Sequence, residues 1–493
     1  MDWQTIFNCA RAVFGIAVLL FIAWLFSVDR KSISWSTVIK SLIIQIVIAF
    51  LVMFVAPVQD FFNFLGSCFV AVLGWTKAGS EFLFGAFIDT SKFGYIFAFQ
   101  ILPTIIFFSA FTSLLFYLGI LQKIVWLFAW LMSRAIKLSG AESLSTVANI
   151  FVGMNEAPLV VKPYIAKMTK SELMLVMTAG MTTMAGGVLA AYIGMLGNGI
   201  HELEVQFARH LLTASVMAAP GAVAISKILV PQTEKVEQNA EIAKDKLGTN
   251  VLEAISIGTI DGFKLAGNVA AMLLVFYALI AGGNSIISYL GGFRLIAALV
   301  FCLSVVGVCA VYWAVVVRKG KSPRIKLSRV KRYATCFGVL SLLFAVVAIF
   351  YSFDESLNSI VSRLTDGRHT VLSMQLILGY VFAPVIWLTG VAIQDVPLVG
   401  QLLGQKIILT EFVGYSELSN MLATNAFAES KSAIMATYVL CGFANFASVG
   451  IEIGGIGSIA PNQRATLSIF GMRALLGGTL AALISASIVG MSF

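Results

Sequence analysis

Charged residues are scarce in this chain of 493 residues, where they make up 12% of the sequence. A soluble domain carries about twice that fraction. Hydrophobic residues make up 59%, and the mean hydropathy is +0.94. This composition excludes an ordinary soluble protein and predicts an all-α polytopic membrane protein. Length is then no guide to the number of domains.

The chain also has few of the residues that build disulfide frameworks, metal centres and hydrolytic sites. Its six cysteines form no CxxC pair, and its three histidines lie in no HExxH context. Because GxSxG, GxGD and Walker motifs are missing too, we predict no enzyme activity and no prosthetic cofactor. The net charge of +9 is concentrated in a few loops, as in other membrane proteins, and does not indicate a nucleic-acid partner.

Long apolar runs fill most of the chain. Windows long enough to cross a lipid bilayer lie at about 8–28, 37–57, 93–119, 171–196, 207–229, 264–288, 294–317 and 333–352. Segments 58–92 and 120–138 mix aromatic with polar residues and are predicted to lie at the membrane interface. Segment 371–393 is ambiguous between a span and an interfacial helix. Counting this segment as an interfacial helix keeps the number of spans even, at about ten in total, with both termini on the same side.

The charged loops predict the orientation of the chain. The loop at 318–332 is rich in lysine and arginine and has no acidic residue. Threading the spans with the N-terminus outside places this loop on the same side as the basic region 120–170 and the loop 231–250. The acidic loop 201–204 then lies on the other side. We therefore expect both termini outside, in the periplasm if the membrane is a bacterial inner membrane.

Two polar stretches interrupt the apolar sequence. Residues 148–159 read ANIFVGMNEAPL, and residues 404–415 read GQKIILTEFVGY. Glycine and proline break a helix, and carboxylates such as Glu156 and Glu411 are costly to place in hydrocarbon. Because such segments persist at membrane depth only inside protein or beside a wet cavity, both are predicted to be re-entrant hairpins. The alternative interpretation is a polar loop outside the bilayer.

The two halves of the chain follow the same order. A segment with an internal proline, Pro103 or Pro384, precedes each hairpin, and a helix rich in small residues follows it, at 179–187 and 441–448. On the predicted orientation the hairpins enter from opposite sides, as an inverted repeat requires. Two such hairpins, each followed by an interrupted helix, are typical of secondary transporters. Chance similarity between apolar helices is the competing interpretation.

Four polar clusters are predicted to lie at membrane depth, and no basic cluster accompanies them. They are Asn149–Glu156, Thr182/Thr183, Thr410/Glu411 and Asn445/Ser448. A neutral, hydroxyl-rich ligand fits such a pocket better than a phosphate does. Oxygen atoms of Asn149, Val152, Thr183 and Met184 suit a small cation. For a single Ser, Thr or Asn, a hydrogen bond between helices is the competing interpretation.

Glu452 stands apart from these clusters. It follows Asn445 by two helical turns, so it either faces the same cavity or lies where its helix leaves the membrane. If it is buried, it is a candidate proton carrier.

Three longer motifs occur in the same two halves. Residues 145–159 read STVANIFVGMNEAPL, residues 404–415 read GQKIILTEFVGY, and residues 441–461 contain CGFAN followed by a serine and GGIGSIAP. In this order they resemble the patterns SAxNxFVGxTEAPL, GxKxxxNEFVAY and CGFAN…GGxGSxAP of the concentrative nucleoside transporter family. The resemblance covers about 90–280 and 371–493, and the first two helices more loosely.

The resemblance implies a homotrimer in which a scaffold holds a moving transport domain, with symport of a nucleoside and either sodium or a proton. By position, it implies that the nucleobase contacts Met154, Asn155 and Glu156, with Val188 also in the substrate site. It implies that the ribose contacts Glu411, Asn445 and Ser448 with Phe443 nearby, and that the cation contacts Asn149, Val152, Thr183 and Met184.

The chain departs from the family pattern at several positions. Met154 stands where the family usually has Gln, Asn155 where it has Thr, Thr410 where it has Asn, and Gly414 where it has Ala. Because a thioether cannot donate a hydrogen bond, one base contact is lost or reassigned to Asn155. Purines, pyrimidines and modified nucleosides all stay open. The helix pair at about 294–352 has no counterpart in the simpler bacterial members.

The sequence therefore predicts about ten transmembrane helices, two re-entrant hairpins, interfacial helices and an inverted-repeat transport domain on a scaffold. The predicted regions are scaffold helices with an interfacial segment (1–119), the first half of the transport domain (120–230, hairpin about 140–168), a loop and scaffold helix (231–293), an extra helix pair with a basic cytoplasmic loop (294–352), and the second half of the transport domain (353–493, hairpin about 396–427). The predicted function is sodium-driven nucleoside import across a bacterial inner membrane by elevator-type alternating access. The alternatives are a proton-coupled nucleoside symporter and a passive nucleoside or nucleobase facilitator.

Overall fold

The computed structural model describes residues 3–93, 96–154, 156–234, 236, 248–291, 357–364 and 370–492. Within those residues all regular secondary structure is helical. Helices satisfy their backbone hydrogen bonds internally, which lipid surroundings require. The chain forms two compact units, one of residues 1–275 with 378–493 and one of residues 276–377.

The part of the chain before residue 234 forms a series of long helices with short helices at one hairpin. They are α1 Trp3–Leu25, α2 Trp35–Phe54, α3 Ala56–Phe84, α4 Thr90–Phe93, α5 Phe97–Tyr117, α6 Ile120–Ile136, α7 Gly140–Ala148, α8 Ala157–Val160, α9 Lys162–Ile165, α10 Lys170–Thr182, α11 Gly186–Gly197 and α12 His201–Leu229. Helices α7 to α9 occupy the segment where the first hairpin is predicted.

The second part of the chain is also helical. Its helices are α13 Val251–Gly291, α14 Leu357–Leu364, α15 Met374–Leu388, α16 Val396–Ile408, α17 Glu411–Ala423, α18 Ser430–Leu440, α19 Phe446–Ile459 and α20 Arg464–Gly490. Helices α16 and α17 occupy the segment of the second predicted hairpin. The predicted helix pair at 294–352 falls outside the described residues.

Helix α13 begins at Val251, well before the apolar window predicted as a span at about 264–288. The polar residues ahead of it supply the helix start, since Oδ1 of Asn250 accepts a hydrogen bond from the amide of Glu253 at 2.9 Å. The Glu253 carboxylate in turn accepts from the amide of Thr249 at 2.6 Å. These reciprocal bonds satisfy backbone donors at the start of the helix. The helix therefore begins in sequence that is not apolar enough to be predicted as a span.

The helices around the first hairpin begin at reciprocal side-chain caps. Ser139 and Glu142 form one capping box at the start of α7, and Thr169 and Glu172 form another at the start of α10. Glu142 is also paired with Lys227 of α12, with Nζ and Oε2 2.7 Å apart and both side chains buried. Because a buried ion pair is costly to break, it fixes the base of the hairpin against α12.

The buried centre of the larger unit consists of α10, α12 and α20, which pack against one another. In the most apolar stretch of α12, 89% of residues are buried, whereas only 28% are buried in α2. The buried helices are rich in alanine, glycine and serine, and small residues let helix backbones approach closely in a membrane. The less buried helices leave apolar faces for lipid.

Seven helices among the described residues are long and apolar enough to cross a membrane. One of them is the continuous helix α3, which overlaps segment 58–92. The interfacial placement of that segment stays a prediction. Helix α15 has 15 residues. It is therefore about 22 Å long, less than the roughly 30 Å of a hydrocarbon core.

Candidate substrate and cation site

Two helix interruptions meet inside the larger unit. The first lies between Thr182 at the end of α10 and Gly186 at the start of α11, and the second lies between Leu440 and Phe446. Within the second break Gly442 has φ +84°, and a Cβ there would clash with the carbonyl oxygen of Thr182. Only glycine fits this conformation and this close approach, so the backbones of the two breaks touch. The ends of four helices, with their unpaired backbone groups, converge here.

The tip of the first hairpin joins the same place. Helix α7 ends at Ala148, and the chain then turns until α8 begins at Ala157. Within this tip the carbonyl oxygen of Phe151 accepts a hydrogen bond from the amide of Gly186 at 3.1 Å. The hairpin tip is therefore bonded directly to the break between α10 and α11.

Three of the four residues predicted to bind a cation are fully buried at this junction. Asn149, Thr183 and Met184 are 0% exposed, and Val152 is half-buried. The amide nitrogen of the Asn149 side chain donates to a carbonyl oxygen one turn earlier at 3.0 Å, but its Oδ1 accepts from no described residue. The Thr183 hydroxyl likewise donates to the carbonyl oxygen of Ala179, one turn earlier, at 2.9 Å. The lone pairs of its oxygen therefore stay available to a ligand. Neutral, unused oxygen acceptors of this kind suit an alkali cation.

The residues predicted to bind the ribose form one hydrogen-bonded group beside the second break. The Glu411 carboxylate accepts from Nδ2 of Asn445 at 2.8 Å and from the hydroxyl of Tyr192 at 3.2 Å. Oδ1 of Asn445 accepts from the amide of Ser448 at 2.8 Å and so caps α19. Glu411, Asn445 and Ser448 are all buried. A carboxylate held by two donors in this way is fixed in orientation and still has lone pairs for hydroxyl groups.

Tyr192 is a site residue that the sequence analysis missed. Its ring stacks on that of Tyr415 with the centroids 4.0 Å apart, and it meets the edge of Phe412 at 4.9 Å. The available signal was a tyrosine within a helix of small residues and aliphatic residues, which needs a partner for its hydroxyl when it is buried.

Lys406 is a second residue without a predicted role. It is 0% exposed, and its Nζ donates to the carbonyl oxygens of Val439 at 3.0 Å and Cys441 at 2.6 Å. These carbonyls lie at the end of α18, where the intrahelical bonds stop. A lysine within an apolar hairpin motif is the signal that could have identified it.

The other predicted site residues are distributed around this junction. Val188 and Phe443 are buried, Met154 is half-buried, Glu156 is exposed on the hairpin, Thr410 caps α17, and Asn155 falls outside the described residues. Glu452 is buried, with its side chain 1% exposed.

Comparisons with known proteins assign the chain to a family. Its residues 14–87 match the model for the N-terminus of Na+ dependent nucleoside transporters, and residues 210–321 and 328–490 match the model for their C-terminus. The chain belongs to the concentrative nucleoside transporter family. Residues 98–199, which include the first hairpin and the first break, match a model described as nucleoside recognition. The chain is thus a multi-pass membrane protein of a transporter family, as the motifs indicated.

Several relatives of this family resemble the chain over nearly its whole length. An uncharacterized transporter of Haemophilus influenzae is 35% identical over 97% of both chains. Sodium/nucleoside cotransporter 1 of the rat is also 35% identical over 97% of this chain, which spans only 63% of the length of that relative. A solved structure of CNTnw in an inward-facing substrate-bound state has a TM-score of 0.76 and 32% identity, with 98% of each chain covered. An outward-facing CNTnw variant has a TM-score of 0.78 and 31% identity, with 99% of each covered.

Proposed function

We propose that the chain imports nucleosides across a bacterial inner membrane by symport with sodium. Its family supports nucleoside transport, and one observation carries the sodium coupling. The buried Oδ1 of Asn149 accepts a hydrogen bond from no described residue. A buried acceptor without a donor is costly unless a ligand satisfies it. A cation can bind this oxygen while the existing hydrogen bond of the Asn149 amide nitrogen is kept.

The sodium ion binds where the first hairpin tip meets the break between α10 and α11. Asn149 and Thr183 supply side-chain oxygens, and Val152 and Met184 supply backbone carbonyls. The bond from the Gly186 amide to the Phe151 carbonyl supports this placement, because it joins the two backbone segments that carry these four residues. None of these four residues contributes a carboxylate to the ion, which favours a monovalent over a divalent ion.

The nucleoside binds beside this ion, with its ribose on the Glu411 group. The carboxylate of Glu411 is held by Tyr192 and Asn445, so it meets the ribose hydroxyls in a fixed orientation. Phe443 provides an apolar wall, while Met154, Glu156 and Val188 face the base. The predicted role of Asn155 in base binding falls outside the described residues. The absence of a basic cluster in these motifs accounts for a preference for nucleosides over nucleotides.

Coupling between the two substrates follows from the contact between the two breaks. A sodium ion that bridges the hairpin tip to Thr183 orders the end of α10, and Thr182 there touches Gly442 in the segment that positions Asn445. An ion can shift this equilibrium only by its differential affinity for the ordered arrangement. Sodium and nucleoside therefore strengthen each other's binding reciprocally.

Transport proceeds by elevator-type alternating access in a homotrimer. The regions 120–230 and 353–493 form the moving transport domain, and the regions 1–119 and 231–293 form the scaffold, with both termini in the periplasm. The similarity to CNTnw structures in both inward-facing and outward-facing states supports alternating access.

The test is uptake of radiolabelled nucleosides by proteoliposomes that contain the full chain. We expect accumulation above the external concentration under an imposed sodium gradient, and none after an ionophore collapses that gradient. Accumulation driven by a proton gradient alone would replace sodium with a proton and assign the coupling to a carboxylate. Equilibration without accumulation would identify a passive facilitator, because a pore cannot concentrate its solute.

A further inference from the structure

Glu452 is a buried carboxyl that the proposed sodium and ribose sites leave unused. Its side chain lies on α19 and is 1% exposed. Neither of its carboxyl oxygens has a hydrogen-bond partner among the described residues. Burying a carboxyl without a partner costs several kcal/mol in an apolar medium. A membrane protein keeps such a group where a ligand or a proton uses it.

The surroundings of Glu452 place it beside the nucleobase end of the candidate site. A Cβ added at Gly180 of α10 would clash with Oε1 of Glu452, and would lie 3.0 Å from the Cβ of Met154. The carboxyl and the methionine thus both lie next to the position that a side chain at Gly180 would occupy. The missing side chain at Gly180 provides the space that the carboxyl fills.

The position along α19 agrees with this placement. Ser448 belongs to the proposed ribose group, and Glu452 follows it by one helical turn. Four residues advance a helix by about 6 Å. This rise is comparable to the length of a base from its glycosidic bond to its Watson–Crick edge. One helix face therefore presents the serine to the sugar and the carboxyl to the base.

The chemistry of the pair of side chains restricts which base edge fits. Met154 cannot donate a hydrogen bond, whereas the Glu452 carboxyl, when it is ionised, offers two acceptors side by side. A ligand that presents two adjacent N–H donors satisfies both oxygens at once in a bidentate arrangement. Among the common nucleobases the guanine edge does so, through its ring N1–H and its exocyclic amino group. Hypoxanthine has the ring N–H but lacks the amino group.

We propose that Glu452 is a specificity-determining residue, and that its carboxyl binds the two N–H donors of a guanine-type nucleoside beside Met154. The inference rests on the proposed function, because it assumes that the junction of the two breaks holds a nucleoside. It makes guanosine the preferred ligand over inosine.

The test measures the affinities of guanosine, inosine and uridine for the purified full chain in sodium, by calorimetry. We expect guanosine to bind about tenfold more tightly than inosine, which lies within the discrimination of a good bidentate pair. The affinity ratio is the dissociation constant of inosine divided by that of guanosine. In Glu452→Gln one acceptor becomes a donor, so this ratio falls towards one. Glu202→Gln makes the same chemical change at an exposed position at the start of α12, and it keeps the ratio of the unmodified protein.

Two further variants separate recognition from folding. Glu452→Asp keeps both acceptors on a shorter side chain, so its ratio lies above that of Glu452→Gln. Gly180→Ala leaves Glu452 in the chain but fills its space, so its ratio also falls. The elution volume and the thermal midpoint without ligand are measured for every variant. A variant that elutes and melts like the unmodified protein is folded, and only the affinity ratios of folded variants are compared.

The outcomes distinguish this inference from the proposed function. A ratio near one in the unmodified protein, or an unchanged ratio in folded Glu452→Gln, overturns the inference while uridine or inosine binding keeps the proposed function. Loss of proton-driven uptake in Glu452→Gln with an unchanged ratio overturns it in favour of a proton carrier. Binding of none of the three nucleosides contradicts the proposed function itself.

Discussion

The polar groups beside the two helix breaks of this transporter differ in how their hydrogen bonds are satisfied. At the second break both carboxylate oxygens of Glu411 have donors, and both polar atoms of the Asn445 side chain are used. At the first break the Asn149 side-chain oxygen has no donor among the described residues. The two regions are joined through the contact between Gly442 and Thr182.

The difference indicates two kinds of ligand. A satisfied network is rigid before the ligand arrives, so it suits recognition of a ribose with fixed hydroxyl geometry. An unsatisfied acceptor beside an irregular hairpin tip gains most from a bound cation. The second break is preorganised, whereas the first break is completed by its ligand.

The largest expected effect comes from disrupting the satisfied network. In Glu411→Gln the amide turns a donor towards Tyr192 or Asn445, which both donate already. We expect nucleoside affinity to fall about 100-fold or more, because hydrogen bonds to charged groups contribute about 1.5–3 kcal/mol each. Nucleoside binding and uptake measure the effect, with Glu202→Gln as the matched control. Unchanged affinity would remove Glu411 from the site.

The next effect acts on the unsatisfied break. Asn149→Ala removes one cation ligand but leaves the ribose group intact. We expect the sodium concentration for half-maximal nucleoside binding to rise about tenfold, with nucleoside affinity at saturating sodium preserved. Asn420→Ala removes an exposed amide from α17 and serves as the control. An equal loss at every sodium concentration would contradict the assignment of Asn149 to the cation.

A third prediction concerns the stability of the second break. Lys406→Met preserves the bulk of the side chain but leaves the Val439 and Cys441 carbonyls without their donor. Each unsatisfied buried group costs about 1–3 kcal/mol, so the thermal midpoint of the purified protein should fall by several degrees. Lys167→Met at an exposed position should not lower it. An unchanged midpoint in Lys406→Met would show that other groups hold the end of α18.

The smallest expected effect tests how finely the carboxylate is positioned. Tyr192→Phe removes one hydroxyl donor to Glu411 and keeps the ring that stacks on Tyr415. We expect nucleoside affinity to fall about fivefold, as for the loss of one hydrogen bond, without a change in sodium dependence. Tyr380→Phe, at a position 53% exposed, is the control. A loss as large as that in Glu411→Gln would show that the hydroxyl contacts the nucleoside itself.

The sequence predicts the helical membrane fold and the burial of Asn149, Glu411 and Asn445, because polar residues in apolar sequence leave a clear local signal. It does not predict the partners of these side chains. Tyr192 bonds to a carboxylate 219 positions away in the sequence. Such pairing depends on how two separate breaks pack, which periodicity and composition do not encode. The same holds for Glu452, since its burial depends on the space left by Gly180.

Helix α13 extends beyond the span predicted at about 264–288 for a different reason. Apolar windows detect the part of a helix that crosses the hydrocarbon, but helix ends are set by capping groups. The start at Val251 follows from Thr249, Asn250 and Glu253, which lie outside the apolar window.

The central claim is that a cation at the first break strengthens nucleoside binding at the second. The most direct measurement is the dissociation constant of a nucleoside for the purified, unmodified chain as choline is replaced stepwise by sodium at constant ionic strength. The account predicts that this constant falls as sodium rises and then levels off, with a reciprocal gain in sodium affinity when the nucleoside is present. A nucleoside affinity that is the same in choline and in sodium would contradict it.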